Sequence, residues 1–353
     1  MMPNEASPRI AICRLGTMSD AILTLPIVCA LRDAFPSAHL GWVAEKRCSS
    51  FIGRHPALNA VIAFDSRRSR SASNLYRARR LLKAERFDVY IDCEGSLRSG
   101  MLGWQTGISR RIGFAGRGSH GFNRSFTTET IRPVFQHVTD RTLELLIPLG
   151  IHSPRVRWRL PIPPSARTWA TKWRRNISHA NITLLDPGTA LGSRYWDVEK
   201  FAQVALHLHR SHDHRSIICW NNEAERNFAK QVVSRSKEAA SLAPTTDLHH
   251  LSALLEVSNL YISGNLEPLH ISVALGTPSI DLQTRPNASS QGIYRQPALH
   301  ALQTRRSELK SGPLELLRKL RFTGRTRGEA SLEDVFEAIS KFEIQQSLMR
   351  SAA

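Results

Sequence analysis

What the sequence lacks narrows its function before any motif is read. No apolar run approaches the roughly 20 residues that a membrane-crossing helix needs, so no spanning segment is expected. The opening MMPNEASPRIAICR has neither the basic start nor the long apolar core of a secretory signal. The five cysteines, Cys13, Cys29, Cys48, Cys93 and Cys219, include no Cys-x-x-Cys pair and are odd in number. They lie mostly in apolar settings, which fits reduced, buried thiols in a cytoplasmic protein. The loop after the first apolar run, RLGTMSDAILTLP (14–26), holds a single glycine, Gly16. The Gly-x-Gly-x-x-Gly dinucleotide fingerprint is therefore missing, and a nicotinamide oxidoreductase with it. Only Tyr76 interleaves with the basic run SRRSRSASNLYRARR (66–80), whereas single-stranded nucleic acid wants several aromatics to stack on. No nucleic-acid partner is expected. The four histidines of HLHRSHDH (207–214) follow neither metalloprotease nor finger spacing, and no metal or other cofactor is expected.

What is present begins with size and charge. At 353 residues the chain can form two domains, each with its own core. Its composition, 41% hydrophobic and 22% charged, is that of a globular protein. The net charge of +18 is unevenly spread: residues 1–170 carry 25 Lys and Arg against 12 Asp and Glu, the remainder 23 against 18. The first half is thus the side that docks something anionic, such as a phosphorylated substrate or a membrane surface.

Short β-branched runs alternate with helical periodicity. Strands are expected at 9–13, 39–44, 60–64 and 88–93, with helices at 20–35 and 73–87. After the proline-rich PIPPS (161–165) the pattern restarts. Strands are expected at 181–186, 216–220, 260–264 and 278–282, and helices at 197–211, 223–236, 248–257 and 268–275. Such alternation implies parallel sheets covered on both faces. The expected fold is α/β: two Rossmann-like, doubly wound domains facing across a cleft, with ligands at the carboxyl ends of the strands. The boundaries read as an N-terminal domain over 1–160, a linker or helix over 161–180, a C-terminal domain over 181–330, and a helix over 331–353 that packs back on the first domain. The stretch 283–328 reads as loops with one helix near 313–321.

In the first loop, Ser19 or Asp20 can cap the following helix, because a side-chain oxygen satisfies an orphan N–H. Asp20 can equally serve as a general base toward an attacking hydroxyl; spacing alone favours the cap. RIAICRLGTMSDAILTLPIVCALRDAFPSAHLGWVAE (9–45) resembles the opening of the ADP-heptose:lipopolysaccharide heptosyltransferases, glycosyltransferase family 9. Asp20, Thr24, Leu25 and Pro26 match, and Ser19 stands where glycine is usual. FDVYIDCEGSLRSGMLGW (87–104) is similar to the family's Asp-x-Gln-Gly-x-x-x-Ser turn; Asp92, Gly95 and Ser99 are kept and Glu94 replaces glutamine. SRRIGF (109–114) and HVTDRTLELLIPLG (137–150) also fit, and the likeness extends to about residue 285. It implies the two-domain GT-B architecture and inverting transfer without a metal. Asp20 would be the general base, and the acceptor would be the Kdo-bearing inner core of lipid A. Ser19, Arg67, Arg68, Arg70 and Arg98 would hold that anionic acceptor, and the enzyme would be cytoplasmic with peripheral contact to the anionic inner membrane.

On the donor side, DPGTALGSRYWDVEKF (186–201) resembles the family's phosphate loop. Gly188, Thr189 and Trp196 match, and Arg194 replaces a lysine while still offering a cation to a diphosphate. CWNNEAER (219–226) resembles the turn whose acid bonds the ribose, a role for Glu223 or Glu225. As first-turn acids these also suit the helix dipole. SGNLEPLHISVALGTP (263–278) sits where the family has a phosphate-gripping turn. Gly264, Pro268 and His270 survive, while Asn265, Leu266 and Glu267 depart from it. Pro268 is expected to open the helix, and Glu267 places a negative charge near the diphosphate of an ADP-heptose donor. Two readings follow: an active heptosyltransferase with a re-specified donor loop, or a non-catalytic relative that binds an anionic glycan or lipid and whose donor site has decayed.

Overall fold

The computed structural model describes residues 7–65, 72–116, 119, 121–188, 196–282, 288–294 and 330–351. The chain divides into two compact units, Met1–Pro161 and Ile162–Ala353.

The first unit is built on a six-stranded, all-parallel sheet. Its strands are β1 (Arg9–Arg14), β2 (His39–Glu45), β3 (Ala60–Phe64), β4 (Val89–Asp92), β5 (Arg110–Phe114) and β6 (Glu129–Ile131), in the order β3-β2-β1-β4-β5-β6. Strands buried on both faces read as continuous apolar runs, and Ile10, Ala11, Ile12 and Cys13 of β1 are wholly buried. The connecting helices are α1 (Met18–Ala34), α2 (Lys46–Ile52), α3 (Ala72–Ala84), α4 (Leu97–Gln105) and α5 (Val138–Glu144). Helix α1 is apolar nearly all round, with every residue from Ala21 to Leu31 buried, as expected of a helix enclosed by neighbours. It packs against α5, whose buried Thr139 hydroxyl donates to the Leu23 carbonyl at 2.9 Å.

The second unit has a five-stranded parallel sheet in the order β11-β10-β7-β8-β9. Its strands are β7 (Asn181–Asp186), β8 (His214–Ile218), β9 (Ala240–Leu242), β10 (Leu260–Ser263) and β11 (Ser279–Asp281). Its helices are α6 (Pro164–Arg175), α7 (Val198–His212), α8 (Glu223–Ser236), α9 (Leu248–Glu256), α10 (Leu266–Leu275), α11 (Ala288–Gln291) and α12 (Leu332–Ser351). Helix α6 falls in the stretch read as a linker and pairs with α9 through Arg167 and Glu256, 2.8 Å apart. The terminal helix α12, expected on the first domain, sends Val335, Ile339 and Phe342 into the second unit's own core beside α7. There Glu343 meets His214 Nε2 at 3.0 Å, while His214 Nδ1 lies 2.7 Å from Thr183 Oγ1.

All five cysteines are buried and unbridged. Within the histidine run, His207 stacks on Phe336 and meets His212 edge-on, His209 faces His179 and His214 joins Glu343. Among the described residues no helix is long and apolar enough to cross a membrane. The helix expected at 313–321 lies outside the described residues.

Candidate functional site

In an open parallel sheet, ligands gather where strand order reverses, outside the carboxyl ends of the strands. In the first unit that point lies between β1 and β4, where Cys13 is level with Asp92. Beyond Arg14 the chain turns at Gly16, and Thr17 becomes the N-cap of α1. Thr17 N and Oγ1 both donate to Asp20 Oδ2 at 2.8 Å, and Asp20 N donates to Thr17 Oγ1 at 3.2 Å. This is a reciprocal capping box. The cap is Thr17, not Ser19 or Asp20; Asp20 is its third-position partner and Ser19 lies between them in the first turn.

Asp20 has a second attachment. Arg14, 8% exposed, donates from Nη2 to Asp20 Oδ1 at 2.7 Å and from Nη1 to the Cys93 carbonyl at 2.7 Å. Burial alone would raise the Asp20 carboxyl, but the Arg14 charge and the Thr17 hydrogen bonds outweigh it and hold the group below the usual carboxylate range. The Asp20 side chain stays 17% exposed, so the carboxylate is fixed and ionised yet reachable. Gly16 makes this possible: a Cβ there would fall 2.8 Å from Asp20 Cβ, inside van der Waals contact.

The turn after β4 is fixed by a buried carboxylate. Asp92 Oδ1 accepts from Glu94 N (3.0 Å) and Gly95 N (2.9 Å), and Oδ2 from Ser99 Oγ (3.0 Å) and Asn123 Nδ2 (2.9 Å). Burial still pushes this carboxyl above its ordinary value. Gly95 takes φ +70°, which glycine tolerates without strain. The Asp-x-Glu-Gly-x-x-x-Ser spacing is thus a wiring diagram for the turn. It delivers Glu94 to the cluster: Oε2 accepts from Leu15 N at 3.2 Å and lies 3.5 Å from Arg14 Nε. Arg141 of α5 completes the group, its guanidinium 5.4 Å from the Phe114 ring centroid. Burial and the like charge of Arg14 lower its pKa. Arg98 is exposed in the first turn of α4. Arg67, Arg68 and Arg70 lie outside the described residues.

In the second unit the order reverses between β7 and β10, where Asp186 is level with Ser263. Asp186, 2% exposed, accepts from Gly188 N at 2.9 Å and from the Tyr261 hydroxyl at 2.6 Å, which fixes the chain just ahead of Thr189 and Arg194. Those two residues lie outside the described residues. A Cβ on Gly188 would be 3.6 Å from Asn265 Nδ2 and 3.7 Å from Glu225 Oε1, so three separate motifs converge here. Of the two acids after β8, Glu225 is buried and turned toward this point. Its Oε2 accepts from Asn221 N at 2.6 Å and its Oε1 from Asn222 Nδ2 at 2.8 Å. Glu223 is 67% exposed and faces Arg226.

Helix α10 starts at Leu266, two residues before Pro268, so proline occupies its third position and Asn265 is the N-cap. The Asn265 side chain makes no capping bond, and its N–H donates to Ser263 Oγ at 2.8 Å. Glu267 lies half-buried in the first turn, where an acid suits the helix dipole. His270 is buried, 2% exposed, within a helix whose residues Pro268 to Val273 are all buried. Trp196 is likewise a core residue, its Nε1 donating to the Ala330 carbonyl at 3.1 Å.

Sequence reasoning missed Arg14 as the Asp20 partner, the steric role of Gly16 and the Asp186–Tyr261 bond. Only the glutamate in place of glutamine at 94 signalled that something in this cluster had changed.

The profile of glycosyltransferase family 9 (heptosyltransferase) matches residues 75–310. The chain is 24% identical over 297 residues to the lipopolysaccharide core heptosyltransferase OpsX of Haemophilus influenzae, covering 82% of this chain and 83% of that protein. It is 23% identical over 290 residues to lipopolysaccharide heptosyltransferase 1 of Escherichia coli, covering 77% and 86%. Among solved structures it resembles the family 9 glycosyl transferase of Veillonella parvula, with a TM-score of 0.76, 22% identity and coverage of 96% and 97%. It also resembles E. coli heptosyltransferase WaaC with ADP-2-deoxy-2-fluoro heptose, with a TM-score of 0.64, 21% identity and coverage of 79% and 90%.

Proposed function

The chain belongs to glycosyltransferase family 9, and on that premise we propose that it moves heptose from ADP-heptose to the inner core of lipopolysaccharide, with inversion at the anomeric carbon. Asp20 is the general base: it takes the proton of the acceptor hydroxyl as that oxygen attacks the sugar carbon, and ADP departs on the opposite face. The observation that carries this reading is the Asp20 carboxylate itself, ionised, held at three points and still partly open at the switch point of its sheet. In the second unit, Glu225 and Asn265 converge on Gly188, a setting for a nucleotide diphosphate. Arg194 and the N-terminus of α10 would take the charge that grows on the leaving diphosphate.

Thr189, Glu223, Leu266, Glu267 and the buried His270 remain donor-side candidates. Ser19, Arg67, Arg68, Arg70 and Arg98 remain candidates for the acid groups of the acceptor. The reading extends to contact with an anionic membrane surface. Residues 95–128 contain no Asp or Glu, and Leu97, Trp104 and Phe122 are exposed on the same stretch with Arg98 and Arg124.

The test is incubation with ADP-heptose and truncated lipopolysaccharide, reading the mass increment of one heptose. Asp20→Ala should lower the rate by about 100-fold or more while calorimetric ADP binding persists. A wild-type rate in that variant removes Asp20 as the base, and no transfer by the wild-type protein favours the non-catalytic relative.

A further inference from the structure

The Arg14 guanidinium serves two carboxylates. Its Nη2 donates to Asp20 at 2.7 Å, while its Nε stands 3.5 Å from Glu94 Oε2 without the alignment of a hydrogen bond. Glu94 is itself held by the Leu15 N–H, one residue from Arg14, and its backbone N–H is tied to Asp92. Both acids are therefore anchored, and neither can relieve the competition by swinging away without breaking a bond. We propose that Glu94 is a positioning residue for Asp20: it divides the Arg14 cation between two carboxylates and so sets how tightly Arg14 holds Asp20. The proposal rests on the reading of Asp20 as the base.

The charged groups around the pair come from three elements. Strand β1 and the start of α1 supply Arg14 and Asp20, with Thr17 as a neutral donor. The β4 turn supplies Asp92 and Glu94. Helix α5 supplies Arg141, with Glu144 behind it. The Cys13 and Cys93 thiols are neutral, pushed up by burial. Burial raises the Glu94 carboxyl, and the Asp20 and Asp92 charges add to this against the pull of Arg14. Glu94 therefore changes charge at a higher pH than Asp20. When Glu94 is protonated, or replaced by glutamine, Arg14 is left to Asp20 alone. The carboxylate is then more fully neutralised and is a weaker acceptor for the hydroxyl proton.

The experiment compares full-length wild type, Glu94→Gln, Glu94→Asp and Asp20→Ala in transfer from ADP-heptose to truncated lipopolysaccharide, with kcat and KM measured across the acid and neutral range. Wild type should show two ionisations on the acid limb of kcat. Glu94→Gln should lack the upper one and keep only the lower, with neutral-pH kcat lowered roughly three- to tenfold and both KM values kept. Glu94→Asp retains a carboxylate and should retain two steps, which keeps the test open if the glutamine variant does not fold. A Glu94→Gln limb that overlays wild type, or a single step in Glu94→Asp, overturns the proposal while an inactive Asp20→Ala leaves the base intact. A fully active Asp20→Ala overturns the base reading itself.

Discussion

Gly16→Ala isolates the geometry of Asp20 from its chemistry. The backbone at Gly16 is outside the left-handed region, so alanine adds crowding without torsional strain. The added methyl would sit 2.8 Å from both Asp20 Cβ and Asp20 Cγ, against about 3.4–4.0 Å for carbon atoms in contact. The overlap of roughly 0.6 Å or more bears on the stem of the side chain, which cannot rotate clear as a carboxylate tip could. Asp20 must move by about that distance, and its bonds to Thr17 N (2.8 Å) and Arg14 Nη2 (2.7 Å) stretch or break with it. A displacement approaching 1 Å of a reacting group costs on the order of 100-fold in rate, and crowding of this kind costs about 1–3 kcal/mol of stability. The measurement is kcat with ADP-heptose and truncated lipopolysaccharide, beside thermal unfolding and ADP calorimetry. Because Gly16 lies in the first unit, ADP affinity should be unchanged while kcat falls at least tenfold. A folded Gly16→Ala protein with wild-type kcat would show that the placement of Asp20 does not limit the reaction.

Two further substitutions probe the supports of each unit. Asp92→Ala leaves the Glu94 and Gly95 N–H groups and the Asn123 amide without their acceptor, and takes one acceptor from the Ser99 hydroxyl, which keeps the Ser96 carbonyl. Ser99 and Asn123 have no exposure to water, so a loss of about 3–5 kcal/mol in denaturant unfolding is expected; a loss under about 1 kcal/mol would deny the network its structural role. Glu267→Gly removes a first-turn carboxylate near the proposed diphosphate site. At about 5 Å and an effective dielectric near 20 the repulsion is about 3 kcal/mol per charge pair, reduced by partial exposure. ADP binding by calorimetry should tighten roughly tenfold, and unchanged affinity would place Glu267 away from the phosphates.

Much of the fold was legible because most of its strands are apolar runs that are largely buried and punctuated by turn residues. β1, β2, β3, β4, β7 and β10 lie within a residue or two of their expected bounds. β6 and β9, three residues each, carry too short a pattern to separate from turns. The start of α10 was misplaced because proline is commonest at the first helical position. A helix has four N–H groups without intrahelical acceptors, however, so proline at the third position costs no hydrogen bond either. The C-terminal helix showed its apolar stripe in the sequence, but a stripe does not name the surface that it covers; Val335, Ile339 and Phe342 lie in the nearer core.

The candidate site was legible as a set of positions and opaque as a set of partners. Asp20 reads from sequence as either a cap or a base, and its capping-box bonds to Thr17 coexist with a carboxylate that is open to solvent on one side. A first-turn acid is fixed by the N–H and hydroxyl of its cap, which places it at the mouth of its sheet at no further cost in ordering. Glu225 is a counterpart in the second unit with different donors: Asn222 is the cap, and the Glu225 carboxylate accepts from the Asn222 amide and the Asn221 N–H and is turned toward Gly188. Each unit thus uses the closure of a helix N-terminus to hold an acid at its switch point, so capping and function are one arrangement. What distinguishes Asp20 is Arg14, 79 residues from the Cys93 carbonyl that it also binds. Arg14 lies only six residues before Asp20, but its aim is fixed by that distant carbonyl, which the crossover from β1 to β4 brings alongside, so residue order could nominate the acid but not single out its counter-ion.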